Sequence, residues 1–170
     1  YNQKNFEEAL FYFQESLKLN DKYFSAAYQI GQVFWILERY NEAVESYRRA
    51  IEIDPKQVDP YLNIAKIFLE NKRFDAVKQM AELVLEFAPD EADAYDLLGV
   101  VYQVQGDLEA AEGAFQKALL LNPNMIASRL GLAGLYLEAK PALARQHYLA
   151  VLAIDADNTY AKEGLQQLGP

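Results

Sequence analysis

Residues 92–125 read ADAYDLLGVVYQVQGDLEAAEGAFQKALLLNPNM, and their pattern returns on both sides at a step of 34 residues. Gly99 has counterparts in Gly31, Ala65 and Ala133, all small. Tyr102 matches Phe34, Phe68 and Tyr136, all aromatic, and Leu98 matches Ile30, Ile64 and Leu132, all aliphatic. Later in the unit, Ala111 follows Ala9, Ala43 and Val77, while Leu108 follows Phe6, Tyr40 and Phe74. Leu119 follows Leu17, Ile51 and Leu85, and Pro55, Pro89 and Pro123 close three units in one register. So many columns in phase mark an internal repeat, which decides the fold before any single segment is read.

The spacing inside a unit is helical. Ile30, Phe34 and Leu37 fall at i, i+4 and i+7 on one helix face, and Ala43, Tyr47, Ala50 and Ile51 do the same in the second half. Short polar links, Glu38-Arg39 in one unit and Gly106-Asp107 in another, separate the halves. Each unit is therefore a helix hairpin, and its second helix ends at proline, which cannot continue it. A lone hairpin cannot bury its apolar side, whereas stacked hairpins bury it continuously. Gly31 and Gly99 are expected to let a neighbouring helix come close, with the aromatic column at Phe34 and Tyr102 filling the wider gap beside them.

The series Tyr95, Leu98, Gly99, Tyr102, Gly106, Ala111, Phe115, Ala118, Leu119, Pro123 resembles the tetratricopeptide repeat family, and residues 27–55 match nearly as well. The resemblance covers almost the whole chain. It implies an all-α fold, a right-handed superhelical solenoid of antiparallel helix pairs. On this reading 1–170 is a single helical-repeat domain. Residues 1–23 are the second helix of a truncated repeat, 24–57, 58–91, 92–125 and 126–158 are repeats, and 159–170 hold a capping helix. The fourth repeat is one residue short between its helices. Pro141 opens its second helix, where the missing N–H is harmless, and Ala144, Tyr148, Val151 and Leu152 recover the pattern. In the closing helix Ala161, Leu165 and Leu168 are expected to face inward. Lys162, Glu163, Gln166 and Gln167 should face water, as a solubilising cap does. No first helix precedes residues 1–23, so Phe6, Ala9, Leu10 and Phe13 are expected to lack a covering partner. The chain then reads as an excerpt from a longer array.

Composition narrows the function. Apolar residues make up 52% of the chain, enough for a sizeable core, and nothing resembles a disordered composition. With 16 basic and 25 acidic residues the net charge is −9, which disfavours nucleic acid and anionic membrane surfaces and favours partners carrying Lys or Arg. There is no cysteine, so disulfides and thiolate metal sites are excluded, and the chain suits an oxidising or a reducing compartment equally. Apolar runs such as residues 97–102 are too short to span a bilayer. The one histidine, His147, has no Cys or second His to form a metal site or triad and is read as lying on an outer helix face beside Tyr148. The glycines form no phosphate-binding motif. These observations imply no cofactor, no metal and no catalysis.

Function is expected on the surface made by the first helices, which the family resemblance places on the concave side. The second, fifth, ninth and twelfth positions of each repeat give Ser25, Tyr28, Gln32 and Trp35, then Asp59, Leu62, Lys66 and Leu69. The later repeats give Asp93, Asp96, Val100 and Gln103, then Ala127, Leu130, Gly134 and Leu137. Tyr28 and Trp35 are the expected hot spots, because large aromatics offer the most area per ordered bond; the competing reading packs Trp35 on the preceding hairpin. Asp59, Asp93 and Asp96 are expected to favour a basic residue in the partner, or else to be a solvated face and helix-start acids. The partner is thus another protein or peptide with apolar anchors and basic residues, bound as a helix or an extended segment. Some family members grip a C-terminal carboxylate with a Lys/Asn/Asn/Lys/Arg clamp. The matching positions here are Tyr28, Gln32, Asn63, Asp93 and Leu97, of which only Asn63 fits, so that specificity is disfavoured. Alternatives are a self-assembling structural array and a regulatory or recruiting module of a larger enzyme.

Overall fold

The computed structural model describes residues 3–169, and every regular element among them is an α-helix. The chain divides into two compact units, residues 1–80 and 81–170.

The first unit holds α1 (Gln3–Leu19), α2 (Phe24–Ile36), α3 (Tyr40–Ile53) and α4 (Val58–Glu70), and α5 (Phe74–Phe87) begins in it. Helix α2 packs against α1 and α3, and α3 against α4. Ala26, Ala27, Ile30 and Phe34 of α2 meet Ala43, Tyr47 and Ala50 of α3 in a buried core, joined by Ile64, Ala65 and Phe68 of α4. The ring over Gly31 is that of Tyr47: a Cβ on Gly31 would lie 2.6 Å from its carbons. The helix that comes close at Gly31 is therefore the hairpin's own second helix, through the aromatic Tyr47. Against expectation, Leu10 is buried and Phe6, Ala9 and Phe13 are half-buried, because α2 covers that face of α1. The α1 rings that stay open to water are Phe11 and Tyr12, 58% and 60% exposed.

The α2–α3 and α4–α5 turns are built alike. Arg39 N–H reaches back to the Phe34 carbonyl and Arg73 N–H to that of Phe68, both at 2.8 Å. That bond requires a left-handed residue just before the donor, supplied by Glu38 (φ 58°) and Lys72 (φ 56°). The guanidinium groups of Arg39 and Arg73 then lie over the Phe34 and Phe68 rings, each 4.5 Å from the centroid.

The second unit holds the rest of α5, then α6 (Ala92–Gln105), α7 (Leu108–Leu121), α8 (Ile126–Tyr136), α9 (Pro141–Ile154) and α10 (Thr159–Gln167). Helices α6 and α7, and α8 and α9, pair as hairpins; α7 packs on α8 and α9 on α10. The Phe115 ring lies between two glycines, 2.6 Å from where a Cβ would stand on either Gly99 or Gly131. Gly106 (φ 82°) takes the left-handed place in the α6–α7 turn. The α8–α9 turn has no such residue. There Lys140 N–H bonds the Tyr136 carbonyl at 2.8 Å, spanning four residues where the other turns span five.

Junctions between hairpins use a short polar side chain. Asn20, Asp54, Asn122 and Asp155 each accept the N–H two residues on, at 3.1–3.2 Å. These Asx turns stop one helix and aim the chain into the next. Beside them, Tyr61, Tyr95 and Arg129 donate to the carbonyls of Pro55, Pro89 and Pro123, so proline's own oxygen is satisfied in the same register.

Candidate functional site

In residues 1–80 the structure brings together Tyr28, Gln32, Asp59 and Asn63. The Asn63 amide donates to the Tyr28 phenol oxygen at 3.1 Å, linking α4 to α2. Tyr28 stacks on Phe24 at 5.8 Å and lies 5.7 Å from the Tyr47 ring. Burial raises its pKa above the usual 10.0, the Asn63 hydrogen bond opposes that, and the Asp59 carboxylate adds to it. Two helix turns beyond Tyr28 on α2, Trp35 is 45% exposed, so its ring is open to a ligand. Lys66 is exposed and Leu69 half-buried. Leu62 is only 6% exposed: it forms the floor of the surface and offers little side-chain area to a partner.

In residues 81–170 the Ser128 hydroxyl, wholly buried, donates to Asp96 at 2.5 Å and so ties α8 to α6. The carboxylate of Glu91 caps α6 by accepting from Asp93 N–H at 3.3 Å. Asp93 and Asp96 are half-buried, as are Val100, Gln103, Leu130 and Leu137, while Ala127 and Gly134 are exposed. Asp96 is thus partly committed to holding two first helices together. Beyond these, a pocket of about 360 Å³ is lined by Leu130, Tyr148, Tyr160, Glu163, Gly164 and Gln167. Stepping 33 residues from Ala127, Leu130 and Gly134 reaches Tyr160, Glu163 and Gln167, so the register that found the other positions extends to α10.

A larger cleft, about 890 Å³, opens at the hairpin-turn edge of the first unit and includes Phe34, Arg39, Tyr40, Phe68 and Arg73. Arg39 and Arg73 are occupied in covering the two phenylalanine rings, Arg39 also pairs with Glu42 at 2.6 Å, and the cleft's third arginine, Arg48, pairs with Glu45 at 3.6 Å. His147 is not on a solvated outer face. It is half-buried 5.7 Å from the Tyr136 ring, with Nδ1 enclosed and unbonded. Burial, and then the nearby Arg129, hold its pKa below the usual 6.5. The adjoining Tyr136 hydroxyl donates to Glu112 at 2.7 Å, and that hydrogen bond is the main reason the Glu112 carboxyl pKa lies below its usual value. Among the described residues no group of three or more His, Cys, Asp or Glu side chains converges to hold a metal ion, and no helix is long and apolar enough to cross a membrane.

Stacked helix hairpins that present aromatic, apolar and amide groups on their first helices define a protein-interaction scaffold. Residues 36–72 match a family model described as TPR repeat, and residues 92–125 one described as tetratricopeptide repeat. The chain contains tetratricopeptide repeats.

Solved structures share the fold. A structure described as the functional characterization of Pseudomonas aeruginosa pilF superposes with a TM-score of 0.83 at 22% identity, over 98% of this chain and 76% of that one. MamA from Desulfovibrio magneticus RS-1 gives 0.73 at 26% identity, over 91% and 88% of the two chains. YrrB, described as a TPR protein with an unusual peptide-binding site, gives 0.69 at 18% identity, over 92% and 90%. No curated protein matches the chain significantly.

Proposed function

We propose that the first-helix surfaces of this scaffold bind a peptide or helix of a partner protein, with no catalysis of their own. The observation that carries the reading is Trp35: a large aromatic 45% exposed, two turns along the same helix from Tyr28, whose phenol is held by the Asn63 amide. An exposed indole offers apolar area at low entropic cost, and a fixed polar pair on the same helix can orient a backbone. YrrB, described as having a peptide-binding site, is a fold relative in keeping with this use. The partner carries apolar anchors and basic residues, given the net charge of −9. An open surface of this kind suits micromolar affinity, about −8 kcal/mol.

Selection from a displayed peptide library, followed by titration against Trp35→Ala and Asp93→Lys proteins, tests this. The reading expects enriched peptides that lose at least tenfold in affinity for one or both variants. Equal binding to both places the site elsewhere. The exposed Phe11 and Tyr12 favour a second reading, self-association through α1. A sedimentation coefficient independent of concentration removes it.

A further inference from the structure

We infer that the pocket at α10 is a receptor for a basic side chain, arginine above all, of the bound partner peptide. The inference rests on the reading that the first-helix surface holds a polypeptide. The pocket has about 360 Å³, room for one long side chain. Leu130 gives it an apolar wall, and Tyr148 and Tyr160 supply two aromatic rings. Tyr160 is 71% exposed, a ring open to water beside the polar Glu163 and Gln167 of the same lining. Glu163 makes no ion pair or hydrogen bond among the described residues, and the adjacent Lys162 is engaged elsewhere, with Asp157 at 3.0 Å. The lining therefore contains one uncommitted carboxylate, one amide from Gln167, and no cation.

That set of groups selects by charge. A guanidinium stacks on phenol rings and donates in a fork to a carboxylate, while its methylene stem lies on an aliphatic wall. The amide oxygen of Gln167 and the hydroxyl of Tyr148 are acceptors for further N–H groups. A neutral aliphatic side chain would fill the space but crowd water from Glu163 without replacing it. An acidic one would be repelled. Backing the pocket, the Tyr148 ring lies directly on Gly164, so the aromatic wall is fixed by packing before any ligand arrives.

The test uses isotopically labelled whole protein titrated with N-acetyl-arginine amide and with its neutral isostere N-acetyl-citrulline amide, read by amide chemical shifts. The expected result is a set of shifts centred on residues 130, 148, 160 and 163–167, with the arginine compound binding about fivefold tighter, the size of one exposed ion pair. Glu163→Gln should erase that preference, and Tyr160→Ala should weaken binding of both compounds, without change in melting temperature. Equal binding of both compounds to the wild-type chain, or shifts centred elsewhere, overturns the inference. The library selection separates this from the broader reading. Enriched peptides without a basic residue, or with unchanged affinity for Glu163→Gln, defeat the pocket and leave the groove standing. Failure to enrich any peptide defeats the groove, and the arginine titration then decides the pocket alone.

Discussion

The amide of Asn63 reaches the phenol oxygen of Tyr28 across 3.1 Å, joining the first helices of successive hairpins on the face where a partner is proposed to lie. A neutral hydrogen bond between half-buried groups contributes about 1 kcal/mol. Tyr28→Phe and Asn63→Ala should each lower stability by roughly that amount. The double variant should lose less than the sum, with a coupling of about 0.5–1.5 kcal/mol in a urea-melt mutant cycle. Strict additivity would show that the pair does not brace the surface.

Glu38 and Lys72 hold left-handed backbone at φ 58° and 56°, where Gly106 stands in a later turn. A side chain there costs about 1 kcal/mol relative to glycine. Lys72→Gly should therefore raise the unfolding free energy by about that much, and Gly106→Ala should lower it similarly. A destabilised Lys72→Gly protein would contradict the turn assignment.

Tyr47 leaves no room for a methyl group on Gly31, whose Cβ would stand 2.6 Å from the ring. Gly31→Ala should cost about 1–3 kcal/mol through overpacking. In a Tyr47→Leu background the same change should cost markedly less, as thermal melts of the four proteins would reveal.

His147 has its folded pKa below the usual 6.5, chiefly through burial and then through Arg129. The unfolded chain thus takes up the proton first as acid is added, so acid favours unfolding. The His147 contribution should be fully present above pH 6.5 and decline as pH falls from 6.5 towards the lower folded value. His147→Phe should flatten that part of the stability–pH curve. An unchanged slope would place the ring in water.

The fold was legible because its signal is repeated. Small residues at Ala43 and Ala111 recur where helices touch, and both are wholly buried. The one-residue loss before Pro141 was also visible, as a break in phase. Other features were hidden because they depend on pairs of side chains. Nothing in the spacing says that Tyr47 lies over Gly31, or that Asp96 receives the Ser128 hydroxyl. His147 sits one residue from Tyr148 in a helix whose polar and apolar faces are poorly separated, so its half-burial could not be read from position. On the proposed surface, the family resemblance nominated Tyr28, Trp35 and Leu62 alike, and position in the repeat could not tell that Leu62 is buried. The pocket at α10 needed only the same register carried one hairpin further at a step of 33.

Phe115 belongs to α7 yet occupies the glycine notches of both α6 and α8. One hairpin's ring is thus also the keystone of its neighbour. Peeling α8 and α9 away would strip one flank of that ring bare, so the two hairpins should melt as one cooperative block, with matching hydrogen-exchange protection, instead of fraying one at a time from the C-terminal end.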